Sequence, residues 1–160
     1  MVRRARRARA LQRTAHRRGF RPSFRLCYRI CAAANDAKVH DWMLMALVEQ
    51  ESAFQFIFGH DVGGPFPGHK VTRALYRRLV AHVRAGGTSN GVGFVQATWG
   101  PELVEHPGLW KPKANLRWGA NFQKELGTDE TGLNDYNGDP SGGYGRARVE
   151  INNAYRKGMP

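Results

Sequence analysis

The longest unbroken apolar run in the chain is Trp42-Met43-Leu44-Met45-Ala46-Leu47-Val48, with polar residues on both sides. Apolar on every face of a helical wheel, it predicts a buried helix over about 37–52, opened by Asp36 as a cap. Glu51 follows Leu47 by one helical turn and Met43 by two, so the pattern brings it out on an apolar side. A helix over about 23–34 precedes it, with Cys27 and Cys31 on one face. Thr72 predicts the start of a helix over 73–83, whose stripe is Leu75, Leu79 and Val83 and whose stop is Gly86-Gly87. Leu116, Trp118 or Gly119, Phe122 and Leu126 give a helix over about 114–126 that ends at Gly127. A final helix is expected over about 146–157. Shorter helices are expected near 98–105 and from Thr128-Asp129-Glu130 toward Tyr136-Asn137. Residues 53–70 and 138–145, rich in glycine, read as irregular loops, and 88–96, with β-like and turn character, as a short ribbon. No internal repeat is visible. The pattern predicts a mainly α domain with a minor β element.

Composition sharpens this picture in three ways. A chain of 160 residues with 41% apolar content, 4 Trp and 8 Phe suits one domain with one core. No apolar run approaches the roughly 20 residues of a membrane span, and no apolar segment of secretory type follows the basic start. The charge is uneven: residues 1–25 hold ten arginines and no acid. That block reads as a basic arm over 1–22 outside a domain over 23–160, able to attract polyanions without specificity or to act as a helix or linker. No aromatic platform or groove-reading motif behind it points to nucleic acid. Cys27 and Cys31 are too few for a disulfide framework or a structural zinc site and read as small buried hydrophobes, as in a protein made in a reducing cytoplasm.

The candidate chemistry centres on Glu51. A carboxyl on an apolar side of a helix is hard to ionise, because burial disfavours the charged form. Still protonated near neutral pH, it can give a proton to a leaving oxygen, as glycosidic cleavage requires. Glu49 lies about 200° around the same helix, so the two carboxylates cannot face one cleft. His60, Asp61 and His69 supply ligand types for a zinc peptidase or amidase, although their spacing matches no helix-borne histidine pair.

Three segments in order carry a family resemblance: Glu51-Ser52; Gly93-Phe94-Val95-Gln96-Ala97-Thr98 within Ser89–Trp99; and Tyr136-Asn137 within Gly132–Gly138. The set Glu-Ser, Gly-x-x-Gln-x-Thr, Tyr-Asn resembles the soluble lytic transglycosylases and goose-type lysozymes. Gly59-His60-Asp61-Val62-Gly63-Gly64 and the Ser-Asn-Gly-Val-Gly run look most like glycosidase domains of endolysins from phages of actinobacteria. The resemblance covers roughly residues 36–157. Phe94-Val95 stand where the family often has Leu-Met, and Asn134-Asp135 stand where it usually has small residues before the tyrosine.

The resemblance implies a lysozyme-like fold and cleavage of the β-1,4 bond between N-acetylmuramic acid and N-acetylglucosamine. It implies Glu51 as general acid, with Ser52, Gly93, Gln96, Thr98, Tyr136 and Asn137 around the substrate. It implies no metal or cofactor, and a monomer that is made in the bacterial host cytoplasm and acts on peptidoglycan in the cell wall. The product chemistry stays open. A hydrolase uses a second carboxylate, for which Asp61 is the best placed and Asp135 and Asp139 are weaker. A lytic transglycosylase manages with one glutamate and leaves a 1,6-anhydro end. Asp61 equally suits a turn cap. The zinc peptidase, and a non-catalytic wall-binding virion module, are the competing classes.

Overall fold

The computed structural model describes residues 2–127 and 141–160. Among them the chain forms seven α-helices: α1 (Val2–Arg17), α2 (Phe24–Ala37), α3 (Asp41–Ser52), α4 (Arg73–Arg84), α5 (Gly100–Glu105), α6 (Pro112–Leu126) and α7 (Gly143–Lys157). A single 3-10 turn spans Gly93–Val95. The mainly helical class is as the pattern predicts.

Helix α3 is the axis of the molecule. Met43 to Val48 are all almost wholly buried, because α2, α6, α7 and the 3-10 turn pack around it. Among the described residues two clusters make up the interior. The larger joins α1, α2, α3, α6 and α7 through Leu11, Ile30, Leu44, Leu47, Leu116 and Tyr155. The smaller joins α4, α5 and the loops through Phe58, Tyr76, Leu79, Val92 and Leu103. In it the Tyr76 hydroxyl reaches the Leu103 and His106 carbonyls, at 2.8 and 2.9 Å.

Three expectations are corrected. First, residues 1–22 are not an arm outside the domain. Ala8, Leu11 and Ala15 of α1 are buried against the core. Two arginines turn inward to buried carboxylates: Arg7 meets Asp41 at 2.5 Å and Arg18 meets Glu49 at 2.6 Å. Second, Asp36 does not cap α3. It lies inside α2 and pairs with Arg117 at 2.7 Å, while α3 begins at Asp41. Third, residues 88–96 form no ribbon. The described β content is three isolated bridges, Ile57–Lys70, Phe58–Val92 and Val92–Ala97. Side-chain amides replace the ladder there. Asn90 accepts from Phe66 N–H at 2.8 Å and donates to the Gly59 carbonyl at 2.9 Å. Asn115 of α6 accepts from Phe94 N–H at 2.9 Å and donates to the Val92 carbonyl at 2.8 Å.

Elsewhere the local signals hold. The Thr72 hydroxyl accepts from Leu75 N–H, α6 stops at Gly127, and both thiols are buried and unpaired. No helix among the described residues is long and apolar enough to cross a membrane.

Candidate functional site

The last turn of α3 carries two glutamates with opposite fates. Glu49 is buried, and both of its oxygens are engaged: Oε1 takes Arg18, and Oε2 accepts from the Tyr155 hydroxyl at 2.6 Å. It anchors α1 and α7 to α3. The two carboxylates therefore serve different sides of the helix, as their spacing requires.

Glu51 is held differently. Its side chain is 10% exposed. Oε1 accepts a short hydrogen bond from the Tyr144 hydroxyl and lies 3.5 Å from Nη2 of Arg148. Oε2 makes no hydrogen bond with a described residue. Burial pushes the Glu51 carboxyl above the ordinary glutamate range; the Tyr144 hydrogen bond and the Arg148 charge pull the other way, and the nearby Asp61 carboxylate adds a further upward push. Desolvation is the largest of these influences. The result is a carboxyl inclined to keep its proton, anchored through Oε1 and with Oε2 unengaged by any described residue.

The anchor comes from α7. Arg148 is fully buried. Its Nε donates to Gln50 Oε1 and its Nη2 to the Tyr144 hydroxyl, while Gln50 Nε2 reaches back to the Tyr144 carbonyl at 3.3 Å. A guanidinium supplies several fixed donors, which is why it can hold an amide, a phenol and a carboxylate in one arrangement. Tyr144 and Arg148 were not singled out by the sequence reading, which placed Tyr144 in a loop. The signal available was the stripe Tyr144, Arg148, Asn152 and Tyr155 at helical spacing. The buried residues of α7 are largely polar, so an apolar periodicity finds the wrong face.

The other residues singled out from the sequence divide into braces and bystanders. The Ser52 hydroxyl donates to the Val48 carbonyl at 3.0 Å, inside its own helix. Asp61 Oδ2 accepts from Gly91 N–H at 2.7 Å, tying the 59–64 loop to the 88–92 segment. Gly93 has φ +74, and a Cβ there would lie 2.6 Å from Phe56 and 2.8 Å from Asn115. Its lack of a side chain serves packing, not the approach of a ligand. The Gln96 amide donates to the Ile57 and Gly93 carbonyls at 3.3 and 2.6 Å, so it struts the loop it sits on. The Thr98 hydroxyl is exposed and donates to the Gln96 carbonyl at 2.8 Å. Tyr136 and Asn137, with Asp135 and Asp139, lie outside the described residues.

Asp61, His60 and His69 are not drawn into a ligand set. Asp61 is engaged with Gly91, and His69 Nδ1 lies 3.2 Å from the Pro67 carbonyl. No group of three or more His, Cys, Asp or Glu among the described residues is arranged to hold a metal ion. Compared with known proteins, the chain matches no family model, no curated protein and no solved structure.

Proposed function

We propose that this protein cleaves the β-1,4 bond between N-acetylmuramic acid and N-acetylglucosamine in bacterial peptidoglycan, on a lysozyme-like scaffold, with Glu51 as the single general acid. The observation that carries the reading is the contrast between the two glutamates of α3. Glu49 has both oxygens committed, whereas Glu51, its side chain 10% exposed, is inclined to stay protonated and is held through Oε1 alone among the described residues. In this reading Oε2 carries the proton to the glycosidic oxygen. The carboxylate left behind is stabilised by Tyr144 and Arg148 and then takes a proton back as base. Tyr144 and Arg148 are positioning residues: they act on the substrate through Glu51. Tyr136 and Asn137 keep the substrate-facing role that the resemblance gives them. The protein is made in the host cytoplasm and acts as a monomer on the wall.

Mass spectrometry of digested peptidoglycan tests the reading. New glycan ends, absent with a folded Glu51→Gln protein, are expected. Anhydro-muramyl ends identify a transglycosylase and reducing muramic ends a lysozyme. Cleaved stem peptides with intact glycan strands would overturn the assignment in favour of the peptidase class.

A further inference from the structure

Immediately past Glu51-Ser52 the chain turns through Ala53 and Phe54, both in the left-handed region at φ 47 and 67. It then runs along a groove of about 450 Å³ between this segment and the start of α2. Arg21, Arg25 and Arg29 line one side, and Phe54, Phe56 and Phe94 line the other. No acidic residue among the described residues borders the groove. Arg21 donates to the His16 and Phe20 carbonyls, both at 3.0 Å, which fixes its guanidinium. Arg25 and Arg29 make no hydrogen bond or ion pair with any described residue. They lie one turn apart on α2, where like charges repel. Two such guanidiniums beside an apolar wall that thins the surrounding water favour an anion, and their forked donors match a carboxylate.

We propose that this groove holds the carboxylate-bearing stem peptide of the substrate, a proposal that rests on the peptidoglycan reading of Glu51. The stem hangs from the lactyl group of the muramic acid whose bond is cut, and Ala53, which lines the groove, follows Glu51 by two residues in the chain. Carboxylates of the stem meet Arg25 and Arg29, and its aliphatic parts lie on Phe54 and Phe56. The site thus selects glycan strands that still carry their peptides.

The test compares wild type with Arg25→Gln/Arg29→Gln and with Arg25→Lys/Arg29→Lys, each checked for an unchanged far-UV spectrum. A synthetic stem pentapeptide with free carboxylates, its fully amidated counterpart, and inorganic phosphate are titrated by calorimetry. Turnover is measured on intact glycan strands and on strands stripped of their stems. The free peptide is expected to bind wild type at least tenfold more tightly than the amidated one, to lose that margin in the Gln variant, and to recover part of it in the Lys variant. On intact strands the Gln variant should show KM raised about tenfold with kcat unchanged; on stripped strands the proteins should be equal. Peptide binding indifferent to the substitutions, or phosphate bound where the peptide is not, overturns the groove assignment. A protein that cleaves both strands alike and ignores the peptide keeps the glycosidase reading and loses this one. A protein that binds the peptide and cleaves no glycan does the reverse.

Discussion

Leu11→Ala tests whether α1 is part of the packed domain. Leu11 is completely buried in the larger cluster. Its neighbours on the helix, Ala8 and Ala15, are small and equally buried. The helix is pinned near both ends, by Arg7 to Asp41 and by the Arg18–Glu49 contact just past its C-terminus, so the cavity has little freedom to collapse. Leu→Ala at buried sites costs roughly 2–5 kcal/mol, more where collapse is restricted; about 3–4 kcal/mol is expected here. For a chain of this size each kcal/mol lowers Tm by about 2–4 °C, so the loss should be about 6–16 °C. Removing residues 1–22 goes further, because it strips the arginines from Asp41 and Glu49, whose side chains are only 7% and 3% exposed. Breaking a buried pair from one side costs roughly 3–5 kcal/mol. The arginines are themselves 28% and 32% exposed, so screening reduces this to about 1–3 kcal/mol each. Together with the lost apolar contacts the sum approaches the roughly 5–15 kcal/mol that holds a domain folded. Circular dichroism melts and urea titrations read both effects. A truncated protein that unfolds cooperatively within a few degrees of the full chain would refute the reasoning and restore the free arm.

Glu51→Gln should lower turnover on peptidoglycan by about 10²–10⁴-fold or more, since the amide keeps the shape but has no proton to give. The same change should alter the pH dependence of stability. A carboxyl raised above its ordinary value of 4.5 on folding contributes stability below that value and loses it as pH climbs through the folded pKa. Glu51→Gln should therefore gain in Tm over wild type between pH 4 and pH 8, and a constant difference across that range would count against a raised Glu51. Tyr144→Phe removes a hydrogen bond that favours the ionised form, so the alkaline limb of the pH–rate profile, where Glu51 loses its proton, should move to higher pH; a downward move contradicts the geometry. Excess EDTA should leave activity intact, and a loss restored by zinc would transfer the chemistry to His60, Asp61 and His69.

What the sequence revealed and what it hid follow from how much surface each signal buries. Helix α3 was legible because an apolar run with no polar face has to be enclosed. Thr72 and Gly127 were legible because caps are local chemistry. Helix α1 was hidden because its buried stripe is Ala8, Leu11 and Ala15, small side chains outweighed in composition by surrounding arginines. The 88–96 segment reads as β because its residues suit extended backbone, yet Asn115 satisfies that backbone from the side, Asn90 turns its own amide to Phe66 and Gly59, and no ladder forms. Glu51 was legible from position, whereas its anchor was not. Tyr144 and Arg148 arrive from more than ninety residues away, and nothing local marks them as belonging to a carboxyl on another helix.

Asp61 decides between the two product chemistries, and its geometry sets the expectation. A base that activates water needs a position that yields to substrate. Asp61 instead spends Oδ2 on Gly91 N–H at 2.7 Å, across a contact that joins two loops. Gly59 leaves no room beside it: a Cβ there would stand 2.6 Å from the same oxygen. The carboxylate is thus a brace, and its influence on Glu51 is through space, raising the acid's hold on its proton. Asp61→Asn keeps an oxygen that can accept from Gly91, so the stability loss should be about 1 kcal/mol or less. The lost negative charge should ease ionisation of Glu51 and move the alkaline limb to lower pH. Turnover at the optimum should change little, with anhydro-muramyl ends as the product, because no water has to be activated. A fall in turnover on the order of 10²-fold in a stable Asp61→Asn protein, alongside reducing muramic ends from wild type, would make Asp61 the second catalytic carboxylate and the enzyme a hydrolase.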